Sequence, residues 1–207
     1  MISWVKIPAG TLVLDPDRPD RFRLPNDPIA LTLEKALWVS QSPISEKQWA
    51  TFETSDLDSD LPKVDVNYAD AVRFAESAKG PESQTCRLLT SEEWEYACRA
   101  GTKSVFYFGD NLLSEHANFL FSEEPEKVGP NGRSQAGCYP PNAFGLYDMH
   151  GNVCEWTSST HASGRIIRGG AWDYLPRLLR SSWWAAIAPE TQRDNLGFRI
   201  AADVVAS

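Results

Sequence analysis

The 207-residue sequence predicts an α+β fold, and three observations predict it. The first half carries three helix-start signals. The strand candidates are all short. Between residues 101 and 164 the hydrophobic periodicity fades, yet aromatic residues stay frequent.

The first helix signal is Ser45-Glu46-Lys47-Gln48, a capping box set before Trp49 and Phe52. In such a box the two side chains satisfy backbone N–H groups that the helix start leaves unpaired. Asn67 caps the second helix, with Tyr68, Ala71, Val72 and Ala75 on one face and Gly80 as its stop. Thr90-Ser91-Glu92-Glu93 is a further capping box, before Trp94, Ala97 and Cys98, and Gly101 suits the position past that helix. Strands are expected at Trp4–Ile7, Leu37–Val39, Arg165–Arg168 and Phe198–Ala201, and Pro8-Ala9-Gly10 ends the first. The 101–164 segment holds Phe106, Tyr107, Phe108, Phe119, Phe121, Tyr139, Phe144, Tyr147 and Trp156. A solvated linker does not carry so many aromatics. The expectation is irregular but packed chain, held by hydrogen bonds or by a metal ion.

The totals bound the function. No repeat or linker divides the chain, so one domain over 1–207 is expected. No run of 18 apolar residues exists, so no membrane insertion is expected. The start, MISWVKIPAG, lacks a signal-peptide pattern, which predicts a cytoplasmic protein. The net charge of −8 argues against a nucleic-acid or anionic-membrane partner. Cys86, Cys98, Cys138 and Cys154 show no CxxC pair, and reduced, mostly buried thiols are expected. His116, His150 and His161 lack paired metal-ligand spacing. No nucleophile elbow or P-loop is present.

One stretch stands out. Residues 168–199 read RGGAWDYLPRLLRSSWWAAIAPETQRDNLGFR, and Trp172, Trp183 and Trp184 fall within it. The chain has eight Trp in all, so this is a local excess.

Several blocks in order resemble the formylglycine-generating enzyme (sulfatase-modifying factor) family. They are Trp4-Val5-Lys6-Ile7-Pro8-Ala9-Gly10, Arg87-Leu88-Leu89-Thr90-Ser91-Glu92-Glu93-Trp94-Glu95-Tyr96-Ala97, and the run from Asn142 to Trp156 that contains Gly151-Asn152-Val153-Cys154-Glu155. Arg168-Gly169-Gly170-Ala171-Trp172 and Asn195-Leu196-Gly197-Phe198-Arg199 complete the pattern. The resemblance implies a C-type-lectin-like fold: two to three helices, short twisted antiparallel strands, paired termini in one sheet and extensive irregular loops.

The family's oxidases are similar to one another in a C-terminal cysteine pair that binds copper. No cysteine follows Cys154 here, so that soft-ligand chemistry is not carried over. The resemblance also implies an optional Ca²⁺ site on Asp148, Gly151, Val153 and Glu155, with oxygen ligands throughout. The same acidic residues serve equally as hydrogen-bonding turn caps. Asn118 resembles part of a second such site. No other cofactor is required.

Within the family, the variable proteins of diversity-generating retroelements resemble this chain most. In them, adenine-directed mutagenesis rewrites the stretch between Gly-Gly and Gly-Phe-Arg. Trp172, Pro176-Arg177, Arg180-Ser181, Pro189 and Leu196 to Arg199 match their fixed points. Between these lie Asp173, Tyr174, Leu175, Leu178, Ala185, Ala186, Ile187 and Ala188, all reachable from an AAC or AAT codon by changing adenines, as Trp184 is from AGG. The expected function is therefore a non-enzymatic binding protein with a variable region at 172–195. The expected ligand contacts are Asp173, Tyr174, Leu175, Leu178, Leu179, Ser182, Trp183, Trp184, Ala185, Ile187 and Thr191. Trp and Tyr offer much contact area at low entropy cost, so the partner expected is a protein surface. Trp172 is expected in the core, and Trp183 and Trp184 on opposite sides of a strand. A copper oxidase using Cys138 or Cys154, and an accessory domain with a fixed partner, are the alternatives.

Overall fold

The computed structural model describes residues 1–14, 30–120 and 131–205. Three helices form where the capping signals place them: α1 Glu46–Glu53, α2 Tyr68–Ser77 and α3 Ser91–Arg99. Ser45, Asn67 and Thr90 each close a reciprocal capping box, with Gln48, Asp70 and Glu93 as the return partners. The α2 stop comes earlier than Gly80, at an extended Ala78. Ala100, ahead of Gly101, takes the left-handed cap of α3.

Among the described residues ten strands accompany them: β1 Trp4–Ile7, β2 Gly10–Val13, β3 Ala30–Leu33, β4 Leu37–Ser40, β5 Cys86–Leu88, β6 Cys154–His161, β7 Gly164–Arg168, β8 Trp184–Ile187, β9 Leu196–Phe198 and β10 Ile200–Asp203. One sheet runs β1-β4-β10-β5, so strands from both ends of the chain flank β4. The second runs β8-β7-β6-β9, and β2 pairs with β3. The β6–β9 pair is parallel, unlike the antiparallel expectation. The single C-terminal strand expected at Phe198–Ala201 is two strands, one in each sheet, joined at Arg199. The expected strand at Arg165–Arg168 is β7, and its partner β6 carries no strand signal. β6 reads CEWTSSTH, a run too polar at its exposed end to signal a strand.

Between α3 and β6 the described chain is irregular and packed. Phe106, Phe119, Leu146 and Met149 are buried. Phe121 lies outside the described residues. Asn142 ties this segment together: its Nδ2 donates to the carbonyls of Ala97 and Cys98, and its Oδ1 accepts from Phe144 and Leu146. Trp49, Phe74 and Phe198 form one aromatic core with Trp156. Trp94, Leu146 and Met149 anchor a second on the far side of the terminal-strand sheet. No described helix is long and apolar enough to cross a membrane.

Candidate functional site

The segment 172–195 is a loop laid over a fixed frame. Gly169 and Gly170 both take positive φ. A Cβ on Gly170 would sit 2.7 Å from the Leu178 carbonyl oxygen, so only glycine lets the loop fold back this closely. Beneath it lies a buried charge network. Arg168 donates from Nε to Ser91 Oγ at 2.7 Å and pairs with Glu95 at 3.2 Å, while Glu95 also holds Arg99 at 2.8 Å. Arg168 Nη1 donates to the carbonyls of Ser181 and Trp183. Its charge thus fixes the loop from below, because a buried cation needs every donor satisfied.

Other framework bonds follow the same pattern. Trp172 N donates to Asn152 O, Ser181 N to Val105 O, and Tyr68 N to Pro189 O. Asn195 Nδ2 donates to both carboxylate oxygens of Asp173 at 2.9 and 3.0 Å, closing the loop at its two ends. Asp173, expected as a ligand contact, is thereby a clamp as well as an exposed residue.

The expected contacts separate into two groups. Leu179, Ser182 and Trp183 are 0%, 1% and 5% exposed, which removes them from any ligand surface. Leu179 follows a short 3-10 turn at Pro176–Leu178 that drives its side chain inward. Tyr174 is half-buried, and burial and the neighbouring Cys154 thiol push its hydroxyl up. Its ring meets Trp183 edge-on at 5.6 Å, so it faces the frame. Leu178, Ala185 and Ile187 are half-exposed but lean on the core. Leu175, Trp184 and Thr191 are half-exposed too. Trp172 is half-exposed and not buried as expected, and its Nε1 meets no partner among the described residues.

β8 is the edge of its sheet, and all four of its residues are half-exposed. Trp184 opens it, beside the His161 ring at 5.3 Å. His161 ends β6 and was not expected here. Only the β6–β7 hairpin brings it to the surface of β8, so its sequence position gave no signal.

The chemistry of the buried groups is structural. His150 is 2% exposed. Its Nδ1 bonds Leu179 O at 2.6 Å and its Nε2 accepts from Tyr107 N, which fixes one neutral tautomer. Burial holds its imidazole down at about 3. Cys98 Sγ lies 3.7 Å from that Nε2, but burial pushes the thiol up to about 12. A thiol–imidazole pair in these states is not an activated nucleophile. Burial also pushes the Cys154 thiol far up, and Cys138 alone among the cysteines is exposed.

The calcium expectation meets an obstacle at Glu155. Both its oxygens are taken: Oε2 by Trp94 Nε1 and Arg199 Nε, and Oε1 by Arg199 Nη2. A divalent cation would have to displace a buried guanidinium, so Glu155 does not fit the ligand set. Asp148 sits nearby at φ 55°, with Oδ2 bare among the described residues. Burial raises its carboxyl to about 7, with Arg199 pulling the other way. Gly151 instead packs against Asn118, where a Cβ would lie 2.2 Å from the carbonyl oxygen. Among the described residues no cluster of three His, Cys, Asp or Glu could hold a metal.

Residues 3–204 match the sulfatase-modifying factor enzyme 1-like domain. The mouse (Mus musculus) protein named inactive C-alpha-formylglycine-generating enzyme 2 is 34% identical over 157 residues, covering 69% of this chain and 49% of that one. The chain therefore spans about half the length of that curated relative. Among solved structures, PvdO from Pseudomonas aeruginosa superposes with a TM-score of 0.80 at 25% identity, covering 97% of this chain and 94% of that one. Treponema denticola variable protein 1 superposes with a TM-score of 0.78 at 19% identity, covering 98% and 95%. At that identity the likeness carries the fold, the α+β scaffold expected from the sequence.

Proposed function

The chain belongs to the family of the sulfatase-modifying factor enzyme 1-like domain, and we propose that within it this protein binds a ligand on residues 172–195 and catalyses no reaction. One observation carries the reading. Among the positions between the fixed points, Asp173, Tyr174, Leu175, Leu178, and Trp184 through Ala188 are half-exposed or exposed, while Leu179, Ser182 and Trp183 are buried and belong to the frame. Several of the matching fixed points make framework bonds. Ser181 and Pro189 bond to distant backbone, and Arg199 is buried on Glu155. A rigid frame with changeable surface positions is what a diversified binder needs.

The lack of a cysteine after Cys154, and the burial of Cys154 itself, support a non-enzymatic role. The ligand class is a protein surface, because Trp184, Leu175 and Ile187 offer apolar contact with few polar groups between them. Sequencing the codons for residues 172–195 and their flanks across a population tests the variable region. Substitutions confined to codons 172–195, at adenines of a nearby template copy, support it. An invariant stretch without a template copy sinks it.

A further inference from the structure

The two four-stranded sheets end in β1, β5, β8 and β9. An edge strand turns unpaired N–H and C=O groups outward and invites another strand, unless charge, proline or a cover blocks it. Three of these edges are blocked. β1 carries the exposed Lys6, with Pro8 just past its end. β5 carries Arg87, which pairs with Glu93 and Asp203. β9 is covered: Ile44 N donates to Phe198 O at 2.9 Å, and a Cβ on Gly197 would lie 2.5 Å from Lys63 O.

β8 has none of these devices. It reads WAAI, without charge or proline, and pairs with β7 over all four residues without a bulge. In an antiparallel pair alternate residues point their backbone groups away from the partner strand. Two of the four β8 residues therefore present N–H and C=O at the edge. Among the described residues nothing bonds to these groups. The strand is nevertheless fixed at both ends. Arg168 Nη1 donates to Trp183 O at 3.3 Å before it, and Tyr68 N to Pro189 O at 2.9 Å after it. The edge is therefore preformed, and binding need not order it.

The side chains of β8 divide between the two faces of its sheet. Ala185 and Ile187 lean on the aromatic core. Trp184 and Ala186 take the other face, where the His161 ring stands 5.3 Å from the Trp184 ring. No charged residue lies on the strand, so a charged side chain set beside it would lose water without gaining a partner. The strand that fits this edge is extended and uncharged, with apolar side chains toward Trp184 on one face and Ile187 on the other.

We propose that β8 takes up an extended, uncharged segment of the protein ligand as an added outer strand of its sheet. This mode of binding rests on the reading of residues 172–195 as a ligand surface, and it names the part of the ligand that is held and the groups that hold it. Backbone bonds do not depend on side chains, so the pairing persists when the residues of β8 change. The side chains at Trp184 and Ile187 then set which segment is preferred. At about 3.3 Å per residue, β8 matches a segment of about four residues.

Fluorescence anisotropy on the full chain tests this with a synthetic set of labelled, capped pentapeptides in which Thr alternates with Val, Ile, Phe or Tyr. A second set carries Lys and Glu at the alternating positions. Members of the uncharged set bind, and the charged set binds more weakly. Methylating the backbone nitrogens of the tightest peptide one at a time gives a period of two. Nitrogens that face β8 lose about tenfold in affinity each, the worth of one hydrogen bond, and the intervening ones lose little. Ala186→Lys abolishes binding. Ala186 is half-exposed and points away from the core side of Ala185 and Ile187, so this variant keeps the wild-type melting temperature. No binding by any uncharged peptide, tighter binding of the charged set, or a methylation profile without the period of two overturns the proposal. So does a dimer in sedimentation that Ala186→Lys dissolves, because a second copy of the chain then fills the edge. Diversified codons at 172–195 beside a flat methylation profile keep the ligand surface and remove the added strand. Invariant codons beside a period of two keep the strand and remove the diversification.

Discussion

Arg199 grips Glu155 with two parallel hydrogen bonds, Nε to Oε2 at 2.7 Å and Nη2 to Oε1 at 2.8 Å, and neither side chain reaches solvent. Arg199 also donates to Tyr147 O, and Trp94 completes the shell around Glu155. The pair stands where the chain leaves β9 in one sheet for β10 in the other. Removing one partner strands a buried charge, so Glu155→Ala or Arg199→Ala is expected to cost about 3–5 kcal/mol. Urea unfolding measures this. A loss under about 1 kcal/mol would show that the pair does not bind the sheets together.

Adjacent Trp183 and Trp184 should behave in opposite ways. Trp183 is 5% exposed and packs on Tyr174, so Trp183→Ala is expected to lose about 3–5 kcal/mol. Trp184 stands half-exposed at the start of an edge strand. Trp184→Ala is expected to cost about 1 kcal/mol or less and to weaken capture of a protein ligand. The reverse ranking in thermal melts would contradict the division of the loop.

Two buried groups give opposing pH slopes. The Asp148 carboxyl is raised to about 7 by burial. The folded chain thus holds its proton more tightly than the unfolded chain, where the value is about 3.9. That stabilisation is complete below about pH 4 and is lost as pH rises through about 7. His150 is lowered to about 3 by burial. Its contribution is present above about pH 6.5 and is lost as pH falls toward 3. Asp148→Asn removes the first slope and leaves the second. The variant should then lose up to about 1.4 kcal/mol per pH unit on going from about pH 6 to 4, while the wild type stays flatter. Parallel curves for the two proteins would refute this assignment.

The thiols should divide one against three. Cys138 is exposed, whereas Cys86, Cys98 and Cys154 are buried, and burial raises the pKa of each of the three. An aromatic disulfide reagent should titrate one thiol in the native protein and the other three only in denaturant. Rapid reaction of a second native thiol would show that the frame opens.

The sequence by itself determined the helices and the frame. Ser45, Asn67 and Thr90 start helices through bonds to residues three positions on, and such local chemistry is legible without the fold. The motif blocks at Gly169-Gly170 and at Asn195 to Arg199 marked the loop ends in the same way, because tight turns demand particular residues. Only the tertiary structure decided which side chains the loop displays. Leu179, Ser182 and Trp183 looked like surface groups in the chain and became core, since Arg168 and Val105 draw the backbone between Leu179 and Trp183 inward from distant positions. Glu155 looked like a metal ligand and became the counter-ion of Arg199, 44 residues away. His161 and Val105 reached the loop through pairings between distant segments that no local pattern encodes. Burial is a property of what packs over a residue, and a sequence window of a few positions does not contain it.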